Sequence, residues 1–247
     1  MKKKEIFLFL GVLIVLTVIG IIFSNRKISK SSPNGISINK DKFPITGIDI
    51  SAHTGEIDFD KILTKQIDFV YLKATEGQNF IDPKFNKNYS NASKRKITVG
   101  FYHFFRFNKG GEIQANHFLK HTINKKTNLP LVIDVEEWGN VLSKSKEDVV
   151  LEISKFIKTA ESKTKRKLMI YTNESGYKTY IKGNFDNNDI WICSFNPKPN
   201  IKKKWTLWQH SHKGKIEGAE GWVDINTFNG TKLQWEKYLK KLKISKK

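Results

Sequence analysis

The stretch Leu131-Val-Ile-Asp-Val-Glu136 places two acidic residues two positions apart at the end of an otherwise apolar run. Such a run predicts a short strand, and because side chains alternate along a strand, Asp134 and Glu136 share one face. A strand of a parallel sheet is buried on both faces, so its carboxyl groups need a reason to be there. A strand end that emerges into solvent would explain one acid. For two acids on one face we favour a functional reason, because catalytic residues gather at the carboxyl ends of barrel strands.

Seven further runs rich in β-branched and aromatic residues lie on both sides of this one, which predicts eight strands. They are residues 46–51, 69–75, 98–105, 167–172, 189–195, 206–211 and 223–228. Between the fourth and fifth runs, Ser145 and Asp148 form a helix-capping signature ahead of an apolar face. A helix between two strands implies that the strands are parallel.

The connections between the predicted strands indicate the fold class. Residues 112–123 are a second, less regular helix candidate, whereas the last three runs are joined by links of only about ten residues, too short for full crossover helices. We therefore predict an α/β fold, a closed TIM-like barrel whose helices degenerate in its last third, followed by an amphipathic helix over 233–242. An open doubly wound sheet is the alternative.

Two other predicted strands carry acids in the same way: Asp49 in Gly47-Ile-Asp-Ile-Ser51 and Asp224 in Val223-Asp-Ile-Asn226. The first and eighth strands are neighbours in a closed barrel, and the fourth lies across from them. Four carboxyl groups are therefore expected to converge on one mouth of the barrel. Crowding of like charges beside apolar neighbours raises at least one pKa, which is what a carboxylic general acid requires near neutral pH.

Aromatic residues follow the same strand ends: Tyr102 and Phe104 on the third strand, Tyr171 on the fifth and Trp208 on the seventh. Sugar rings stack their apolar faces on such side chains, although each aromatic taken alone is as readily a core residue. Acids and aromatics in one cleft indicate a glycosidase. The chain has no glycine-rich phosphate loop and no His or Cys spacing typical of a metal site, so we expect neither cofactor nor metal.

The amino-terminal quarter has a different character. Lys2, Lys3 and Lys4 precede an apolar run from Ile6 to Phe23, whose 18 residues are just long enough to cross a bilayer. A cleavable signal peptide is the alternative, but the run exceeds the usual apolar core of a signal peptide and no small-residue cleavage site follows it. We predict a cytoplasmic tip and transmembrane anchor over 1–23, a flexible tether over 24–43 and the barrel domain over 44–247.

This organisation predicts a single-pass membrane protein with the barrel outside the cytoplasm, or a secreted protein if the segment is cleaved. The formal charge is +20, and the first thirty residues hold only six of the 44 basic side chains. A basic domain suits a polyanionic partner such as a cell-wall polymer. Nucleic acid is not expected, because no nucleic-acid-binding motif accompanies the charge.

Read as strings in order, these segments resemble the family 25 glycoside hydrolases, the cellosyl-type lysozymes. The matching strings are Gly47–Ser51, Gly55–Phe59, Lys73–Gly77 with Phe80 and Asp82, Gly100–Phe104, Pro130–Glu136, Tyr171-Thr172, Trp208-Gln209, Val223–Asn226 and Phe228–Gly230. The resemblance implies a barrel of five β/α units closed by three strands, (β/α)5(β)3. It also implies hydrolysis of the β-1,4 bond between N-acetylmuramic acid and N-acetylglucosamine in peptidoglycan glycan strands, without metal or cofactor.

Carried over residue by residue, the resemblance makes Glu136 the proton donor. Asp134 is its partner, either steering the substrate's N-acetyl group into attack or stabilising an oxocarbenium-like transition state. Asp49 and Asp224 are supporting carboxylates. Sugar contacts are assigned to Tyr102, Tyr171, Trp208, Glu76 and Gln209.

Two departures from the family pattern bear on these assignments. Thr54 precedes Gly55 where the family usually carries an amide, which affects one subsite contact. Glu137 follows Glu136 directly, and a slip of one residue in strand register would exchange the two. We choose Glu136 because it keeps the alternation with Asp134.

Two other classes of function remain open at this stage. The first is a wall-binding module of the same fold without catalysis, which the presence of all four acids argues against. The second is a basic nucleic-acid-binding protein, which only the charge supports. Clearing of purified peptidoglycan suspensions distinguishes both from a hydrolase.

Overall fold

A computed structural model of the chain describes residues 35–63 and 67–244. All eight predicted runs form strands, and each pairs with the next. The strands are β1 (Thr46–Ile50), β2 (Phe69–Glu76), β3 (Thr98–Phe104), β4 (Val132–Asp134), β5 (Met169–Asn173), β6 (Asp189–Cys193), β7 (Leu207–Gly214) and β8 (Val223–Phe228). Strands β1 to β7 are parallel, and β8 closes the barrel by pairing antiparallel with both β7 and β1. The closed barrel is therefore confirmed over the open sheet.

Helices follow the first five strands and are absent from the described links between the last three. They are α1 (Phe59–Leu63), α2 (Phe85–Lys94), α3 (Gly111–Thr122), α4 (Lys146–Thr164) and α5 (Glu174–Gly176, continued by a π-helical turn over Tyr177–Ile181), with α6 (Lys232–Ile244) after the last strand. Ser145 caps α4 by accepting from the Asp148 amide at 3.1 Å, as its sequence predicts. A two-residue strand, Phe80–Ile81, pairs with the end of β2 at the barrel rim.

The barrel interior is filled by aromatic rings in its lower half, at the amino-terminal ends of the strands. Two of these rings, Phe69 and Tyr71, lie beside glycines at the same level of the neighbouring strand, Gly47 on β1 and Gly100 on β3. A methyl group on either glycine would come within 2.2 Å of the ring. Glycine at these two positions is therefore what allows large rings to occupy the interior.

A separate apolar layer lies between the barrel and its surrounding helices. Alternate residues of β2, β3 and β4 face this layer, and Phe101 and Ile133 belong to the same buried apolar cluster as Phe118 of α3 and Phe156 of α4. The carboxyl-terminal helix α6 has a different role. Its Trp235 packs 5.3 Å from the ring of Phe69 and so covers the lower end of the barrel.

Residues 35–43, which the sequence analysis assigned to a flexible tether, lie against the outside of the barrel. Ile36 donates its amide to the His210 carbonyl at 2.9 Å, and the ring of Phe43 packs 5.7 Å from Trp205 and 6.0 Å from Trp208. The tether boundary at residue 43 is thus wrong. The apolar side chains at positions 36, 38 and 43 cover indole surface that β7 would otherwise expose.

The predicted transmembrane segment, residues 6–23, and the tether up to residue 34 lie outside the described residues. Among the residues that are described, no helix combines the length and the apolar character needed to cross a membrane.

The interior glycines give a test of the packing. We expect Gly100→Ala to lower the free energy of unfolding by about 1–3 kcal/mol, because the new methyl group collides with a ring that cannot retreat. Tyr71 donates its hydroxyl to the Pro130 carbonyl at 3.2 Å and packs 4.7 Å from Trp191. Urea unfolding measures the change.

The matched control is Gly110→Ala, whose new methyl group meets nothing closer than 3.8 Å and should cost less than about 1 kcal/mol. Combining Gly100→Ala with Tyr71→Leu should recover part of the loss, because the two positions are in contact. Equal costs for the two glycine variants would contradict this account of the interior.

Candidate active site

An open cleft of about 880 Å3 lies at the carboxyl-terminal ends of the strands. Eight of the nine site residues predicted from the sequence line it. They are Asp49, Glu76, Tyr102, Asp134, Glu136, Tyr171, Gln209 and Asp224. The barrel therefore brings together acids from β1, β2, β4 and β8 that are distant in the chain.

Glu136 and Glu137 point in different directions. Glu136 lines the cleft, whereas Glu137 accepts a hydrogen bond from the Tyr180 hydroxyl at 2.9 Å, away from the cleft lining. Burial, with a further contribution from the Asp49 charge, raises the pKa of Glu136 to about 7. Its carboxyl group can therefore hold a proton near neutral pH and release it, as a general acid must.

Asp49 and Asp224 form a hydrogen-bonded carboxyl pair at the closure of the barrel, directly opposite one another on β1 and β8. Burial and the Asp49 charge raise the pKa of Asp224 to about 9. Asn226 and Gln209 donate to Asp49 Oδ2 at 2.7 and 3.1 Å. The amides stabilise charge on Asp49, so the shared proton resides on Asp224 at neutral pH.

Asp134 is the most enclosed acid of the cleft, with 5 % of its surface exposed. Burial, reinforced by the neighbouring Glu136 charge, raises its pKa well above the ordinary value. Its Oδ1 atom has no hydrogen-bond partner among the described residues. A buried acceptor without a partner is costly in a folded protein, and substrate-binding groups commonly account for such atoms.

Lys73 places a positive charge among these acids. Its ammonium group lies 2.7 Å from Glu76 Oε2 and lowers the pKa values of Asp134 and Glu136. Lys73 and Glu76 are three residues apart and would face opposite sides of a regular strand. A register irregularity between Lys73 and Thr75 removes this mismatch, so both side chains face the cleft. Arg106 forms a second ion pair with Glu76.

A chain of hydrogen bonds fixes the side of the cleft formed by β5 and β7. The Tyr171 hydroxyl donates to Gln209 Oε1 at 2.9 Å, and the Gln209 amide in turn donates to Asp49. On the opposite side, Tyr102 is half-buried on β3 and its pKa is raised well above the ordinary value by burial. Both tyrosines are therefore neutral and able to offer a hydroxyl and a ring face to a ligand.

Trp208 is the predicted sugar contact that the structure places elsewhere. Only 1 % of its surface is exposed, and its indole nitrogen donates to the Ser194 carbonyl at 2.8 Å, in the layer outside the barrel. The prediction that Trp208 binds sugar is therefore corrected. Because side chains alternate along a strand, Trp208 and Gln209 cannot both face the interior, and Gln209 does.

Several cleft residues were missed in the sequence. The most prominent is Trp138, whose side chain is 78 % exposed at the rim on the loop after β4. Phe195, His212 and Trp191 also line the cleft. A tryptophan two residues after Glu136 was a usable signal in the sequence, whereas the segments that carry Phe195 and His212 show no pattern that assigns them to this site.

Two further residues lie at the cleft edge or beside it. Cys193 is half-buried and lines the cleft, and burial raises the pKa of its thiol. It is therefore a poor nucleophile. Thr54, which departs from the family pattern, is buried and accepts from the Ser51 amide at 3.2 Å, so it supports the turn after β1.

The sequence and fold match known proteins. Residues 48–219 match the family model for glycosyl hydrolases family 25. Lysozyme M1 of Streptomyces globisporus is 32 % identical over 202 residues, covering 76 % of this chain and 68 % of that protein.

Two solved structures are similar throughout the barrel. A family 25 glycosyl hydrolase from Bacillus anthracis has a TM-score of 0.75 and 35 % identity, covering 83 % of this chain and 96 % of that chain. A lysozyme from Streptomyces coelicolor has a TM-score of 0.69 and 31 % identity, covering 77 % and 94 %. With the match extending from β1 to beyond β7 and the acids gathered at one mouth, the chain belongs to glycosyl hydrolases family 25.

Proposed function

We propose that this chain is a peptidoglycan hydrolase of the muramidase type, which cleaves the β-1,4 bond between N-acetylmuramic acid and N-acetylglucosamine. One observation carries the proposal: Glu136, with its pKa raised to about 7, lies in a cleft lined by other carboxyl groups and aromatic rings. The lysozymes among the relatives support the same class of substrate.

Glu136 acts as the general acid in this proposal. Its proton passes to the glycosidic oxygen as the bond between that oxygen and the anomeric carbon breaks. Positive charge then develops on the sugar ring, and the surrounding carboxylates stabilise it. Lys73 offsets part of the negative charge and lowers the pKa values of Asp134 and Glu136, so these two groups release their protons more readily.

Asp134 positions the substrate. Its unpartnered Oδ1 atom is an acceptor suited to the N–H group of an N-acetyl substituent. A hydrogen bond there would turn the acetamido oxygen toward the anomeric carbon, where it can attack as the leaving group departs with the Glu136 proton. Water then attacks the anomeric carbon, breaks its new bond to the acetamido oxygen and gives a proton to the Glu136 carboxylate, which completes the hydrolysis. Of the two roles that the resemblance implies, this geometry favours steering of the N-acetyl group.

The remaining residues hold this arrangement in place. The Asp49 and Asp224 pair, bonded to Asn226 and Gln209, ties β1, β7 and β8 together beneath the reacting sugar. Preorganised groups of this kind lower the barrier because they need not reorient during the reaction. A non-catalytic wall-binding protein of the same fold is the second candidate, but it would have no use for an acid with its pKa near 7.

We also propose that residues 1–23 anchor the protein in the bacterial cytoplasmic membrane, with the barrel on the periplasmic or wall side. The 18-residue apolar run after three lysines supports this location.

The first prediction concerns the acid. Glu136→Gln should lower hydrolysis of purified peptidoglycan by about 10²–10⁴-fold or more while the fold survives, because the amide cannot donate the required proton. Mass spectrometry of released muropeptides should show muramic acid at the reducing end for the wild-type protein.

Glu137→Gln is the matched control and should retain most activity, because that side chain bonds Tyr180 instead of lining the cleft. The assignment fails if Glu136→Gln keeps a third of the wild-type rate, or if the control is the variant that loses it. A wild-type protein that binds peptidoglycan but releases nothing would favour the non-catalytic alternative.

The second prediction concerns pH. Activity of the wild-type protein on a soluble glycan should fall as pH rises through about 7, because Glu136 must be protonated to act. Lys73 lowers the pKa of Glu136, so Lys73→Met should move the midpoint of this fall to higher pH. The measurement is kcat/KM against pH.

Lys84→Met removes a comparable lysine, paired with Glu56 at 3.1 Å on the surface, and should leave the midpoint unchanged. A midpoint that stays in place or moves downward in Lys73→Met would show that Lys73 does not set the protonation of the acid.

The third prediction concerns the anchor. The full chain should fractionate with membranes, and deleting residues 1–30 should release a soluble barrel of equal activity, because the observed barrel core lies beyond that segment. Immunoblotting of fractions and a muropeptide assay test both parts. Recovery of a secreted protein that begins beyond residue 23 would instead identify a cleaved signal peptide.

A further inference from the structure

Clusters of basic residues lie on the barrel face opposite the cleft, although Arg95 is paired there with Asp60 and Lys167 with Glu161. Four segments made only of lysine and arginine, residues 94–96, 125–126, 165–167 and 202–204, precede β3, β4, β5 and β7. They therefore lie at the amino-terminal ends of the strands. The acids of the cleft lie at the other ends, so the barrel is basic at its base and acidic at its mouth.

Helix α6 adds to this basic face. It carries lysines at positions 232, 237, 240 and 241, with Glu236 as its acidic residue. Lys204, Lys237 and Lys241 surround a cavity of about 480 Å3 with Trp205 and Phe228 among its lining residues. The Asp189 carboxylate at its edge accepts a hydrogen bond from the Tyr238 hydroxyl at 3.1 Å. Three ammonium groups around a partly apolar cavity suit a phosphate joined to an apolar chain.

Exposed apolar side chains accompany the lysines. Leu233, in the first turn of α6, is 59 % exposed, and Ile123, directly after α3, is 50 % exposed. Both residues lie at the end of the barrel that holds the amino-terminal ends of strands β1 to β7, near the basic segments. Apolar side chains among lysines are typical of surfaces that rest on a lipid bilayer, whereas a soluble polyphosphate offers them nothing to contact.

From these observations we propose that the basic face formed by α6 and the four basic segments binds the anionic phospholipid headgroups of a membrane, leaving the catalytic cleft directed away from the bilayer. The headgroup phosphate binds among Lys204, Lys237 and Lys241. Leu233 enters the boundary between headgroups and acyl chains.

The length of the preceding chain agrees with this contact. Residues 24–34 separate the predicted anchor from Gly35, and eleven residues span at most about 40 Å. An anchored barrel is thus held close to the bilayer, which raises the effective concentration of lipid at its surface. The orientation rests on the anchor proposed above, but it does not rest on the hydrolase activity.

The experiment uses the full chain inserted into lipid nanodiscs, either of phosphatidylcholine alone or with phosphatidylglycerol added. Hydrogen exchange of the backbone amides is followed by mass spectrometry. We expect exchange in α6 and in residues 94–96 to slow by about tenfold or more with phosphatidylglycerol at low salt. The difference should fade at about 0.5 M salt, where charge interactions are screened.

Two variants of matched charge identify the surface. Lys204→Glu, Lys237→Glu and Lys241→Glu together should abolish the protection while leaving the hydrolysis rate on a soluble glycan unchanged. The control combines Lys144→Glu, Lys198→Glu and Lys213→Glu, exposed lysines at the cleft end of the barrel, two in loops and Lys213 near the end of β7, and should keep the protection.

Three results would overturn the proposal. The first is equal exchange of α6 in the two lipid mixtures. The second is protection of the cleft loops instead of α6. The third is protection of α6 by soluble poly(glycerol phosphate) added to phosphatidylcholine nanodiscs but not by phosphatidylglycerol, which would assign the face to a wall polymer. If the first variant lost hydrolysis, it would have lost its fold, and circular dichroism would detect the unfolding.

Discussion

The mutual proximity of buried carboxyl groups is the constraint on which this site depends. Asp49, Asp134, Glu136 and Asp224 face one cleft, and all four have raised pKa values. They cannot all be ionised together at neutral pH, because each charge raises the free energy of the next. The barrel divides them into two pairs with different surroundings. Asp49 pairs with Asp224 and accepts hydrogen bonds from two side-chain amides, whereas the charge of Lys73 lowers the pKa values of Asp134 and Glu136. Glu136 is thereby left as the acid whose proton is exchangeable near pH 7.

Carboxyl groups held this close together require a rigid structure beneath them. In the lower half of the barrel, aromatic rings pack over Gly47 and Gly100, and Trp235 of α6 covers the end. Close packing there keeps the strands at fixed separations, so the carboxyl groups above cannot relax apart. The cost of holding like charges together is offset by the apolar burial below them. Stability and catalysis are thus located at opposite ends of the same strands.

The parts of the structure that were predictable from the sequence follow regular periodicity. Alternation in Leu131–Glu136 placed Asp134 and Glu136 on one face, and the capping signature at Ser145 located α4. The errors arise where periodicity is broken or where a distant partner decides. The register irregularity after Lys73 lets Lys73 and Glu76 both face the cleft; only the family resemblance indicated Glu76, and no local pattern indicated Lys73. The predictions for Trp208 and for residues 35–43 were wrong for the same reason. Phe43 packs against Trp208 on the outside of the barrel, and neither segment of sequence indicates this contact by itself.

The segment before β1 determines where a pulling force would first act on the barrel. The Ile36 amide donates a hydrogen bond to the His210 carbonyl, and His210 is next to Gln209, which bonds both Tyr171 and Asp49. Tension applied to the chain ahead of Gly35 would therefore load β7 first. Since residues 35–43 lie between that point and β1, the strand that carries Asp49 is shielded until this contact yields. A pull on the chain ahead of Gly35 would thus reach this contact before it reaches the carboxyl groups of the cleft.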